Sequence, residues 1–413
     1  MQWIGIKMLM IRQAWRNIFR NIRRTVLTCT LIASSLVVII LVDSLINSMA
    51  GLMVKGITET IEGEAQVYHS GFRDQYDPEL YIKNPKSIIS YLESDKEVKA
   101  FAPRIIVPAM IGSSYNSVGV IVYGIDAEKE SNTSRLKSAL IEGNYLSGSD
   151  RELILGMVIA EKLEVTIGDR IVITSSEINT NQMVQELFRV SGIVRFGPKE
   201  LDEGFAFINL SNAQRMFNIG EGIHQIAIRF NNPELANSPD LALYKTLSSD
   251  TLEAKGWLAL QPGLGAILEM TGFSTLIMGV VLFILASLGV VNSIFMSIYE
   301  RTYELAVSKA IGTRPSGIAI LVLLEGLFLA LLSCIFGIII TLILGNYLQD
   351  NGLPLGVMEF SGVAFPDSLP IKLASYQLVN FPFYVVILTL VAAIYPAIFA
   401  ARIVPAQAVQ KAL

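Results

Sequence analysis

The sequence predicts an α-helical membrane protein: four transmembrane helices, with a large α+β domain inserted between helices 1 and 2. Three observations carry that fold class. The 413 residues are 52% hydrophobic and 16% charged, with mean hydropathy +0.51, whereas soluble domains carry roughly 25% charged residues. Four long runs are almost free of charge. The segment between the first two runs, 55–269, is charge-rich and alternates strand-like with helix-like patterns.

A bilayer core about 30 Å thick takes about 20 apolar residues of helix. Thr25–Val42 carries no charge, and after Asp43 the run continues uncharged to Val54, giving a first span at 25–54. Its apolar run exceeds the usual signal-peptide core and no A-x-A site follows, so it reads as an uncleaved anchor. Thr28 before Cys29 argues against a lipid-attachment site. Met270–Tyr299 gives the second span, 270–299, whose 30 residues would reach about 45 Å and project beyond the bilayer. The third, 316–349, has Glu325 inside its apolar pattern, and the fourth is 373–401.

Charge sets the orientation. Residues 1–24 hold Lys7, Arg12, Arg16, Arg20, Arg23 and Arg24 and no acid. Loop 300–315 holds Arg301, Lys309 and Arg314, and the tail 402–413 holds Arg402 and Lys411. Loop 350–372 has Lys372 against Asp350, Glu359 and Asp367. The positive-inside rule puts both termini and loop 300–315 in the cytoplasm, and 55–269 and 350–372 outside.

Segment 55–269 carries 29 acidic and 20 basic residues, a net of −9 (20 − 29), against −4 for the whole chain. The acids read as a solvated surface or as a face for a basic partner. Strands are expected at 65–68, 105–111, 118–124, 153–155, 170–174, 188–194 and 223–229, where Val, Ile and aromatic residues lie between Gly, Asn, Pro or Asp. Short helices are expected at 86–92, 157–163 and 212–217, and Gly168-Asp169 marks a turn.

On the cytoplasmic side, 6–24 reads as a basic amphipathic helix. Ile11, Trp15, Ile18 and Ile22 form one stripe and Arg12, Arg16 and Arg20 another. Such a helix suits the headgroup plane with its arginines near anionic lipid, or contact with a cytoplasmic partner. Tyr299–Ser316, YERTYELAVSKAIGTRPS, is the only expected cytoplasmic stretch between spans. It reads as a short helix stopped by Gly312, with Pro315 opening the next. It is either a topology signal or a docking element for a soluble motor. Asp43 is expected at the outer interface. Glu325, an intramembrane acid, is expected to be paired or functional.

Catalytic chemistry finds no foothold. Cys29 and Cys334 sit in apolar runs, and His69 and His224 stand alone. No zinc site, disulfide framework, H-E-x-x-H or G-x-S-x-G motif follows from them. A net negative charge argues against nucleic acid. No G-x-x-x-x-G-K-[ST] occurs, so this chain is expected to supply neither a catalytic nor a cofactor-binding residue, and no metal site.

Four segments, in order, resemble the FtsX-like permease superfamily of ABC transporters, which includes macrolide-exporter and lipoprotein-releasing permeases. They are AWRNIFRNIRRTVLT (14–28), ELILGMVIAEKLEVTIGDRIVIT (152–174), YERTYELAVSKAIGTRPSGI (299–318) and YPAIFAARIVPAQAV (395–409). The resemblance implies a dimer with a second permease copy or paralogue in the bacterial inner membrane. It implies a separate ABC ATPase that binds ATP and Mg, and a periplasmic domain with porter-like and β-rich parts. Movement would pass from motor to periplasm by mechanotransmission. On this resemblance Glu300, Arg301, Glu304, Leu305, Lys309, Ile311 and Gly312 would couple to the ATPase. Length and architecture favour the lipoprotein-releasing type, although 175–185 lacks the long proline-containing arm of one such subunit. Extraction of a lipoprotein or another amphipathic substrate, passed to a carrier or adaptor, is the expected function. The alternatives are a transducer controlling a periplasmic partner and a small-molecule efflux permease. Met49, Met53, Met270 and Phe273, at the outer ends of spans 1 and 2, form a candidate lipid portal, methionines adapting to varied apolar shapes.

Overall fold

The computed structural model describes residues 2–197, 199–354, 356, 358–360 and 363–405. The tail after 405, with the end of the closing motif, and residues 355, 357, 361 and 362 of loop 350–372 lie outside the described residues. The chain divides into two compact units. One comprises Met1–Met49, Leu268–Pro354 and Ser368–Leu413; the other comprises Ala50–Ile267 and Leu355–Asp367.

The first unit is helical. Its elements are α1 (Gln2–Arg20), α2 (Ile22–Ile57, which runs on into the second unit), α3 (Pro262–Glu300), α4 (Thr302–Ala310), α5 (Pro315–Asn351) and α6 (Gln377–Ala401). Four described helices are long and apolar enough to cross a membrane: α2 with the turn that continues it to Glu62, α3, α5 and α6. The helices and the expected spans differ in extent. The second helix begins at Pro262 rather than 270, because Gly263 to Ile267 adds only small and apolar residues that continue the helix. At 39 residues it spans about 58 Å. The fourth begins at Gln377, not 373. The amphipathic helix ends at Arg20, so Ile22 and the basic pair after it belong to α2.

Apolar residues of α2 (Ile32, Leu36, Ile39, Ile40), α3 (Val290, Ile294, Ile298), α5 (Ile318, Val322) and α6 (Val385, Ala393, Ala397, Ala400) share one core. Small residues let the helices approach: a Cβ on Gly337 of α5 would lie 2.9 Å from Leu36 Cδ2, the use of glycine expected between apolar helices. Polar ties join them as well. Thr28 Oγ1 donates to Ser293 Oγ at 2.7 Å. Asp43, expected at the outer interface, accepts from Gln377 Nε2 at 2.6 Å and Tyr376 Oη at 3.2 Å. The stripe on α1 is corrected: Ile18 turns inward beside Ala14, whereas Ile11, Trp15 and Ile22 are exposed. Ile18 packs with Leu329 of α5 and Cys29 of α2, and the Trp15 and Phe328 rings meet edge to face at 5.4 Å.

The second unit holds a mixed sheet of ten strands: β1 (Ala65–His69), β2 (Val98–Gly112), β3 (Ser117–Ile125), β4 (Leu140–Gly143), β5 (Glu152–Gly156), β6 (Arg170–Ser176), β7 (Met183–Val194), β8 (Phe205–Asn209), β9 (Gln225–Phe230) and β10 (Leu252–Gly256). The order is β10-β1-β9-β2-β3-β8-β5-β7-β4, with β6 pairing both β2 and β7. One sheet therefore runs through the region expected to contain a porter-like and a β-rich part. The pairs β3–β8 and β5–β7 are parallel and the others antiparallel.

Alternate residues of one strand enter different cores, as the two-residue period requires. Ile105, Val107, Ala109 and Ile111 of β2 join Leu153 and Leu155 of β5 and Ile208 of β8 on one side. Ile106, Ile154 and Phe207 join Tyr68, Phe72 and Leu136 on the other. The 152–174 motif forms β5, the helix Met157–Leu163 and β6. Its Gly156 has a packing reason: a Cβ there would lie 2.1 Å from the Asp202 carbonyl oxygen.

A fully buried ion pair closes this unit. Arg104 donates from Nε and Nη2 to the two oxygens of Glu130, at 2.9 and 2.7 Å, and from Nη1 to the Ile61 carbonyl. Burial pushes the Arg104 pKa down, but Glu130 outweighs it and the net direction is upward. His224 is wholly buried; its Nδ1 accepts from the Ile106 amide at 3.0 Å and its Nε2 lies 3.0 Å from the Pro78 carbonyl. That arrangement requires the neutral Nε2–H tautomer, and burial lowers its pKa to about 4.

Candidate functional site

The segment that sequence singled out, 299–316, leaves α3 at Glu300 and re-forms as α4 after one residue, Arg301, whose backbone (φ −115°, ψ 15°) breaks the helix. Glu304 in the first turn and Lys309 in the last complement the helix dipole. The end of α4 is a Schellman stop. The Gly312 amide donates to the Lys309 carbonyl at 3.1 Å and the Thr313 amide to the Ser308 carbonyl at 3.1 Å. Gly312 adopts φ +109°, with open space where a Cβ would stand, so glycine is needed for backbone conformation rather than packing. Arg314 is extended and Pro315 opens α5.

Side chains of α4 and of the two residues before it, Glu300 and Arg301, tie this stretch to its neighbours. Arg301 Nη1 donates to Glu325 Oε1 of α5 at 2.7 Å, and Asn17 Nδ2 of α1 donates to the same oxygen at 2.6 Å. Arg301 and Glu325 are both 7% exposed. Arg301 Nε also reaches Glu304 at 3.3 Å. Arg20 of α1 grips both Glu304 oxygens, at 2.7 and 2.9 Å, and Arg24 pairs with Glu300 at 2.9 Å. Hydrogen bonds from Arg20 hold the Glu304 carboxyl below the usual carboxylate range. At the other end, Lys309 Nζ donates to the carbonyl of Ala401, the last residue of α6, at 2.8 Å and to that of Ile403 just beyond it at 2.9 Å. Leu305 and Ala306 are buried in the shared core.

Two expected coupling residues lie inward: Arg301 is bonded to Glu325 and Leu305 is packed in the helix core. Glu300 and Glu304 are held by arginines of this chain and remain partly exposed. Exposed on α4 and its stop are Tyr303, Glu304, Ala310, Ile311 and Gly312, with Ile311 83% exposed. Of the candidate portal residues, Met53 is buried and Met49 half-buried, while Met270 and Phe273 are exposed; buried Met53 presents no surface to a lipid. Sequence reasoning missed Asn17, Arg20 and Arg24 as partners of the coupling segment. The signal was present: Arg20 and Arg24, and Glu300 and Glu304, are two four-residue ladders of opposite charge.

Among the described residues no group of three or more His, Cys, Asp or Glu side chains is placed to hold a metal ion. Both cysteines are free and buried.

A family model described as FtsX-like permease C-terminal matches residues 276–405, and one described as MacB-like periplasmic core domain matches 25–238, just over half of the chain. The chain is 21% identical over 346 residues to the lipoprotein-releasing system transmembrane protein LolC of Neisseria meningitidis, covering 80% of this chain and 83% of that one. To LolE of Haemophilus influenzae it is 24% identical over 328 residues, 76% and 78% of the two chains. The crystal structure of the periplasmic region of MacB from Actinobacillus actinomycetemcomitans aligns at 15% identity and TM-score 0.37, covering 51% of this chain and 95% of that one. The chain belongs to the FtsX-like, MacB-type permeases of ABC transporters, a family of generally non-catalytic membrane subunits.

Proposed function

We propose that this chain is the inner-membrane subunit through which a separate ABC ATPase, binding ATP and Mg, drives a periplasmic domain, so that a lipoprotein or another amphipathic substrate leaves the outer leaflet. The observation that supports this reading best is the tying of α4 to its neighbours. The stretch from Glu300 through α4 is fixed by ion pairs or hydrogen bonds to α1, α2, α5 and α6 and cannot shift without displacing them. Its exposed end, Ile311 and the Gly312 turn, is what remains for the motor to grip. The match to lipoprotein-releasing permeases supports the substrate class, with a periplasmic carrier or adaptor receiving the cargo.

The uncovered face of α3 supports a second permease copy or paralogue as a further partner. Leu276, Val280, Ile284, Leu285 and Leu288 of that helix are all exposed. The transducer reading, in which motion controls a periplasmic partner and no cargo leaves, predicts the same coupling and differs in what Met270 and Phe273 touch.

The test is reconstitution. The purified chain alone should not hydrolyse ATP, and with the ATPase it should support release of an acylated protein from proteoliposomes. Photocrosslinkers at Met270 and Phe273 should capture that acylated protein, and one at Val404 should not. Partner-independent hydrolysis would remove the proposal, and capture of phospholipid alone would favour the transducer.

A further inference from the structure

The two charge ladders and the inward-facing acid of α5 point to a role for α1 that a membrane anchor does not explain. An interfacial helix held only by lipid needs no bond to the helix behind it. Here Asn17 reaches Glu325 at 2.6 Å, and Glu325 shares that same Oε1 with Arg301 at 2.7 Å. Three helices, α1, the start of α4 and α5, thus meet at one buried carboxylate. On the surface, Arg20 and Arg24 add ties to Glu304 and Glu300.

These ties differ in kind. Arg20 and Glu304 keep 56% and 47% of their side-chain surface in contact with solvent, so salt screens that pair. The side chains of Arg301 and Glu325 are only 8% and 9% exposed, so salt hardly reaches them. Trp15 against Phe328, and Ile18 against Leu329, fix the same helix to the same stretch of α5.

We propose that α1 is a second arm of the coupling element, locked to α4 by the Asn17–Glu325–Arg301 junction. Motion imposed on α4 then reaches α2 directly through α1 as well as by way of α3 and α5. Asn17, Arg301 and Glu325 are positioning residues: they touch neither nucleotide nor substrate and act by making two helices move as one. The proposal rests on the coupling role given to α4 above, and its test separates the two.

Spin labels are placed on exposed Gln13 of α1 and Ala310 of α4 in the full chain, in nanodiscs, with Cys29 and Cys334 replaced by serine. The expected result is one narrow distance distribution, unchanged from about 0.05 M to about 1 M salt. In Asn17→Ala the exposed Arg20–Glu304 pair is the polar tie left between α1 and α4 among the described residues, so the distribution should stay narrow at low salt and broaden at least two-fold at high salt. Arg301→Met/Glu325→Leu keeps the volume of the junction and guards against simple misfolding, since apolar replacement of a buried pair is commonly tolerated. It should show the same salt-dependent broadening, with substrate released per ATP reduced at least five-fold. If the distribution remains narrow at high salt in both variants, the junction does not lock α1 and the proposal is overturned. If the parent behaves as expected but no ATPase acts on it, the lock stands and the coupling reading fails.

Discussion

Replacing Gly312 with valine should break communication without breaking the fold. At φ +109° a β-branched side chain clashes with its own backbone, and such conformations cost about 1–3 kcal/mol. Because nothing lies within 4 Å of the site where a Cβ would be built, that cost arises from the backbone alone and cannot be relieved by moving a neighbour. At 1.4 kcal/mol per factor of ten, the native turn loses about 5- to 150-fold in population relative to opened alternatives. The amides of Gly312 and Thr313, now bonded to Lys309 and Ser308, should exchange faster by that factor. Hydrogen exchange on peptides covering 302–318 reads this directly. On the same preparations, ATP turnover should persist while substrate release falls, and Gly312→Ala should lie between the two. Native exchange protection in Gly312→Val, together with native release, would refute the reasoning.

Three further outcomes follow from the geometry. Glu130→Ala leaves the Arg104 guanidinium buried without its carboxylate and should destabilise the second unit by about 3–5 kcal/mol, read through the fluorescence of buried Trp257 during denaturation; Arg104→Met/Glu130→Leu should recover most of the loss, and a neutral Glu130→Ala would show that the pair is not formed. Burial holds the folded His224 pKa down at about 4, below the ordinary 6.5 of a histidine, so between those pH values the unfolded chain binds more protons. Its contribution should be fully present above pH 6.5 and be lost as pH falls towards 4, by up to about 3 kcal/mol; an unchanged pH slope in His224→Asn would exclude this. Cysteines at exposed Asn232 and Asp250 should react with an impermeant thiol reagent in intact spheroplasts, and one at Ala310 only after lysis, with the reverse pattern overturning the orientation.

What sequence could reveal depended on how local its cause was. The four apolar runs and the Gly312 stop were legible because a bilayer and a helix terminus impose their demands on adjacent residues. Seven strands were legible from β-branched runs between turn residues. Three were not: β8, FAFIN, runs straight into a helix with no punctuating turn; β4 has four residues; and β10, LEAKG, is a charged edge strand. The start of α3 was placed late because Glu269 interrupts the charge-free run, although one acid does not interrupt a helix. In the coupling site the helix and its turn were legible, but the partners of its charges were not. Asn17 and Glu325 lie 308 positions apart, and no single sequence states which opposite charges meet across such a distance. Charge reads as exposure until a partner is known, and for that reason Arg301 reads from sequence as a surface residue.

The account stands or falls on α4 as the rigid link between motor and membrane helices. The most direct measurement replaces Thr302–Gly312 with a Gly/Ser linker of equal length, keeping Arg301 and therefore its bond to Glu325. The parent and the replacement are compared for ATPase capture, ATP turnover and substrate release in one proteoliposome preparation. The account predicts that capture falls and that any ATP turnover that remains releases no substrate, because a flexible linker transmits no displacement. Full assembly and full release through the linker would contradict it.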